Sequence, residues 1–118
     1  MKLTMYGYPK CSTCRKALKK LESMGHEVDM INVFEQAPSA DTIEKWLQQS
    51  AVEPRKLFNT SGEVYREMKL KDKLGYMNRE EMVGLLASEG RLIKRPVVTG
   101  NGRITIGYRE PEYEEVWT

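Results

Sequence analysis

The sequence predicts an α/β fold: a mixed four-stranded sheet whose βαβ and ββα halves are separated by a helical insert. Three observations carry that prediction. Short β-branched or alternating segments occur near both ends of the chain, a single amphipathic helix joins the first two, and the stretch from about residue 38 to 90 shows helical spacing. With 118 residues, 40% hydrophobic and 31% charged, the chain has the size and composition of one compact domain spanning 1–118.

The elements follow in order. In residues 2–8 Leu3 and Met5 alternate with Thr4 and Tyr6 before Pro9, which reads as a strand. From Ser12 the apolar positions Cys14, Ala17, Leu18, Leu21 and Met24 mark one face of a helix, with Gly25 as its stop. Val28 to Phe34 is a second, parallel strand. Ser39 caps a helix that carries Asp41 in its first turn and buries Ile43, Trp46 and Leu47. Pro54 to Leu74, broken by Ser61-Gly62, reads as short helices. Asn78 and Glu81 form a capping box for a helix with the stripe Met82, Leu85 and Leu86, ending at Gly90. Val97-Val98-Thr99 and Ile104-Thr105-Ile106 flank Gly100-Asn101-Gly102 as a hairpin, and Glu110 to Thr118 closes as a helix. The order βαβ, helical insert, ββα is that of a thioredoxin-type sheet.

Several function classes are excluded. No apolar run reaches the roughly 18–20 residues that cross a bilayer, and the N-terminus is too soon interrupted to be a signal peptide. A cytoplasmic monomer is expected. The net charge of +2 does not argue for direct nucleic-acid binding, although residues 1–24 hold six basic groups and one acid. Two cysteines and one histidine cannot complete a monomeric zinc site, which needs about four ligands, without carboxylates, so no metal is expected. A Cys-based phosphatase loop needs Arg six residues after its nucleophile, where Ala17 stands, and no nucleotide phosphate loop is present.

What remains is Cys11-Ser12-Thr13-Cys14, placed after a strand and at the start of a helix. Unpaired N–H groups and the dipole at a helix N-terminus stabilise a thiolate. Cys11, at the mouth of the helix, is the expected nucleophile; Cys14, on the apolar face, is the expected resolving thiol. Lys10, Arg15 and Lys16 add positive charge nearby. The second constellation is Arg95-Pro96, just before the hairpin. There a thioredoxin-type fold places a cis proline facing the cysteine turn, which leaves Arg95 to stabilise Cys11 or bind an oxyanion.

Three blocks carry a family resemblance: Tyr8-Pro9-Lys10-Cys11-Ser12-Thr13-Cys14-Arg15-Lys16-Ala17, Leu57-Phe58-Asn59-Thr60-Ser61-Gly62 with Tyr65-Arg66, and Leu92-Ile93-Lys94-Arg95-Pro96-Val97-Val98. In order and spacing the chain resembles the glutaredoxin-linked arsenate reductase family, including its Spx-like regulators. The resemblance implies a thiol-disulfide chemistry with no bound cofactor, a thiol reductant (glutathione, glutaredoxin or thioredoxin) as electron donor, and a thiol-containing redox partner. It also implies departures. Family reductases hold the oxyanion with three arginines; Arg95 matches one, Asn59 stands at or near the second, and a shifted Arg109 is the available third. Spx-like members bind the C-terminal domain of the RNA polymerase α subunit through an insert glycine, where this chain has Ser50-Ala51. Arg15, Pro96, Asn59 and Arg109 are therefore expected to bind substrate or stabilise the thiolate around Cys11, Cys14 and Arg95.

Overall fold

The computed structural model describes residues 1–118 and contains a sheet of order β2-β1-β3-β4, built from β1 (Lys2–Gly7), β2 (Glu27–Asn32), β3 (Val97–Gly100) and β4 (Arg103–Ile106). β1 runs parallel to β2 and antiparallel to β3, and β3 pairs antiparallel with β4. This is the thioredoxin-type arrangement that the element order predicts. The parallel pair needs a crossover, supplied by α1 (Ser12–Ser23); the antiparallel pair needs only a tight turn, supplied by Asn101 and Gly102, both at positive φ.

The chain divides into two compact units, one of Met1–Asn32 with Arg95–Thr118 and one of Val33–Lys94. In the sheet unit, the alternation of β1 buries Leu3, Met5 and Gly7. Leu3, Met5 and Val98 form a core with Ala17 and Leu21 of α1 and with Tyr113 and Trp117, which come from α6 (Glu110–Val116) and its C-cap. Lys20 of α1 reaches Glu114 at 2.9 Å and Glu110 at 3.4 Å, tying the two helices at the surface. The tail's acidity thus has a local use: it neutralises one of the α1 lysines.

The insert unit is helical, with α2 (Ala40–Ser50), α3 (Glu63–Glu67), α4 (Leu70–Lys73), α5 (Arg79–Ser88) and 3-10 turns at Pro54–Leu57, Leu74–Tyr76 and Gly90–Leu92. Ser39 accepts from the Thr42 N–H, and Asn78 and Glu81 close the expected capping box. The buried stripe of α5 differs from the expected one. Val83 and Leu86 are its fully buried residues, while Met82 and Leu85 are half-buried, because Val83, Leu86 and then Gly90 succeed one another at steps of three and four. Strand ends also differ: β1 stops at Gly7 and β2 at Asn32, where the paired register ends.

Ala51, the C-cap of α2, sits at φ 57° and ψ 21°, a left-handed conformation that costs a non-glycine residue about 1 kcal/mol or more. Nothing in its place requires the methyl group, which is exposed. Ala51→Gly is expected to stabilise the chain by about 0.5 kcal/mol, the relief of strain exceeding the added freedom of the unfolded chain. A rise in the urea midpoint with unchanged slope is the expected readout.

Candidate active site

The site is built at the end of β1. A turn closed by the Cys11 N–H on the Tyr8 carbonyl, 3.0 Å, delivers Cys11 to the N-cap of α1, where its carbonyl accepts the first helical bond from the Arg15 N–H. Both cysteines are free thiols; Cys11 is half-buried and Cys14 fully buried. The division follows from helical geometry: position 14 shares the inward face with Ala17 and Leu21, and the N-cap lies at the rim.

The two thiols have opposite acidities. Burial raises Cys11, but the Cys14 N–H, the Cys14 thiol, the Thr13 N–H and the charge of Arg95 outweigh it and hold Cys11 below its ordinary value. Burial pushes Cys14 up to about 11, helped by its contact with the Cys11 sulfur and that sulfur's charge, against the Tyr8 N–H and Arg95. Of the two, Cys11 is therefore the thiol that ionises first.

Arg95 arrives through sheet register. Tyr6 of β1 pairs with Val97 of β3, so the antiparallel ladder carries Pro96 and Arg95 to the cysteine end of β1. The Arg95–Pro96 peptide bond is cis, Pro96 is buried and Arg95 half-buried. Arg15 is exposed on the first turn of α1, and the strongest cationic influence on Cys11 is that of Arg95.

Arg109 and Asn59 have partners within their own units. Arg109, 77% exposed, is the N-cap of α6 and pairs with Glu112 at 3.1 Å. With Pro111, Glu112 and Glu115 it lines an open cleft of about 580 Å³ whose two carboxylates oppose anion binding. Asn59 lies in the insert unit, where its N–H donates to the Leu92 carbonyl at 2.7 Å and its carbonyl accepts from Gly62. It serves the turn that precedes α3.

Two residues of this region are not singled out by the sequence reading. A Cβ on Gly7 would stand 3.0 Å from the Cys14 sulfur and 3.3 Å from the Met30 sulfur, so the bare backbone makes room for the buried thiol. A glycine inside a predicted strand is the signal that could have found it. Tyr113 is fully buried, and its hydroxyl donates to the Gly107 carbonyl at 3.2 Å; within an acidic tail it carries no comparable signal.

Known proteins resemble this chain over nearly its whole length. The uncharacterized protein YusI of Bacillus subtilis (strain 168) is 48% identical over 117 residues, covering 99% of each chain. A crystal structure of an ArsC-family-related protein from Bacteroides fragilis superimposes with a TM-score of 0.92 at 38% identity, over 98% of this chain and 97% of that one. The global transcriptional regulator Spx of Bacillus subtilis (strain 168) is 29% identical over 112 residues, 93% of this chain and 82% of that protein. Named relatives thus include a regulator and an arsenate reductase. Since the ArsC family model matches residues 6–116, a span that runs from the end of β1 through the cysteine turn and Arg95 to the last turn of α6, this chain belongs to the ArsC family.

Proposed function

We propose that the protein is a cytoplasmic thiol-disulfide oxidoreductase in which Cys11 attacks and Cys14 resolves. The observation that carries this reading is the pairing of a half-buried, acidified Cys11 with a Cys14 whose acidity burial weakens, both under the charge of Arg95. The Cys11 thiolate attacks one sulfur of a partner disulfide and expels the other as a thiolate, leaving a mixed disulfide. Cys14 then loses its proton and attacks the Cys11 sulfur, releasing the second partner thiol. The product is the Cys11–Cys14 disulfide, and a thiol reductant returns two electrons to it.

The first step prepares the second. Once the Cys11 sulfur is in a mixed disulfide it carries no charge to oppose ionisation of Cys14. The Tyr8 N–H and Arg95 continue to favour the Cys14 thiolate. Resolution is thereby favoured only after a partner has been captured.

Multiple turnovers of a small disulfide driven by a dithiol reductant are expected, with weak or absent arsenate reduction by glutathione and glutaredoxin. Arg109 is already neutralised by Glu112, and Asn59 brings no charge, so no arginine clamp is supplied by those positions. Arsenate reduction at the rate of an authentic family reductase overturns the arsenate part of this expectation; failure to turn over any disulfide overturns the whole.

A second reading, a redox-sensing regulator that binds the polymerase α C-terminal domain, is favoured by one observation. Ala51, at the place the resemblance gives to the regulators' glycine, keeps the left-handed backbone that glycine prefers. Redox-dependent binding of that purified domain in calorimetry, without disulfide turnover, replaces the first reading by the second.

A further inference from the structure

We propose that Tyr113 is a positioning residue for Arg95, acting through Gly107 and Pro96, and hence a determinant of Cys11 reactivity. The proposal rests on the reading of Cys11 as nucleophile. Tyr113 is fully buried against Tyr108, with ring centroids 4.7 Å apart at 81°, and a buried phenol must place its hydroxyl on a partner. That partner is the Gly107 carbonyl, at 3.2 Å.

Gly107 is the residue of this segment least able to hold its own conformation: it has no side chain and lies at φ 81°. Its N–H donates to the Pro96 carbonyl at 2.8 Å, one rung beyond the ladder that ends with Val97 opposite Ile106. Proline has no N–H of its own, so this carbonyl is the backbone group through which residue 96 can be held to its neighbour. The Tyr113 hydroxyl therefore stands two hydrogen bonds from the residue that follows Arg95.

Thr105, the one buried polar residue, accepts from the Trp117 indole N–H at 3.2 Å, which fixes the C-cap of α6 to β4. Tyr113 is also within electrostatic reach of Cys14, which offers a rival route to the thiols that bypasses Arg95.

The test is the pH profile of Cys11 alkylation by iodoacetamide, read by mass spectrometry, in the full chain and in Tyr113→Phe, Arg95→Ala and the double variant. Tyr113→Phe keeps the ring and its contact with Tyr108. Its alkylation midpoint should move to higher pH, slowing the reaction at pH 7 by about two- to threefold. Arg95→Ala should move it at least as far, and the double variant should match Arg95→Ala alone. Replacement of Tyr113 by 4-aminophenylalanine restores a donor to Gly107 and should return the wild-type midpoint; it is also the variant to measure if Tyr113→Phe does not fold. An unmoved midpoint in Tyr113→Phe, a wild-type deviation in the 4-aminophenylalanine variant, or a further shift in the Arg95→Ala background overturns the proposal. A wild-type Cys11 that titrates like a free thiol overturns the nucleophile reading as well.

Discussion

Cys14→Ser should convert each encounter with a disulfide partner into a lasting covalent adduct on Cys11. The serine hydroxyl can still donate a hydrogen bond to the Cys11 sulfur, so the nucleophile keeps that source of acidity, but an alcohol does not displace a thiolate from a disulfide. Release then depends on an external thiol at millimolar concentration in place of an intramolecular one. Intramolecular groups held in line reach effective concentrations far above that, so the adduct lifetime should lengthen by about 10³-fold. Non-reducing electrophoresis and mass spectrometry of the trapped species give the lifetime and the identity of the partner. Adducts of the variant that resolve as fast as those of the wild type show that Cys14 is not the resolving thiol. Adducts that survive Cys11→Ser and form through Cys14 reverse the assignment.

The largest expected effect on stability comes from Gly90→Ala. A Cβ at position 90 would lie 1.8 Å from the Val33 carbonyl oxygen and 2.8 Å from its carbonyl carbon, both backbone atoms that no rotamer change can move aside. Relief requires a shift of the chain itself. Gly90 opens the 3-10 turn that leads to Leu92 and Ile93, both fully buried, and to the bridge between Phe58 and Ile93. The same segment fixes the Leu92 carbonyl to the Asn59 N–H and the Lys94 N–H to the Leu57 carbonyl, each at 2.7 Å. Overpacking that moves such a segment should cost about 3 kcal/mol or more. Gly84→Ala supplies the control. Position 84 is exposed in the interior of α5 and a Cβ there meets nothing within 4 Å, so alanine should stabilise by about 0.5–1 kcal/mol. Urea denaturation that gives the two variants the same sign refutes this reading of the glycines.

Much of the framework of the candidate site is legible in the sequence. The strand, cysteine turn and helix are encoded within 25 consecutive residues, where local periodicity and the Gly25 stop suffice. The same holds for the caps at Ser39 and Asn78, which depend on contacts three residues apart. The different burial of Cys11 and Cys14 follows from their places on one helix. Arg109 was not decided in this way: its charge suggested an anion site, and its pairing with Glu112, three residues on, left it in an acidic cleft. The buried stripe of α5 was also misplaced in part. Met82, Val83, Leu85 and Leu86 are all apolar, and only the packing of the insert selects Val83 and Leu86 among them.

By itself, then, the sequence determined the order of elements, the thioredoxin-type topology they imply, and the presence of a thiol pair at a helix mouth. Those properties depend on spacings of two, three and four residues, which a chain carries wherever it goes. Tertiary structure decided the relations that span longer separations or join separate elements. It brought Arg95 to the cysteine end of β1 by pairing Tyr6 with Val97, and it required a bare backbone at Gly7 beside Cys14. It also brought the Tyr113 hydroxyl to Gly107, and Gly107 to Pro96. The reason is physical: hydrogen-bond register and close packing are relations between segments, and a residue's own type does not specify which distant backbone atom it will meet.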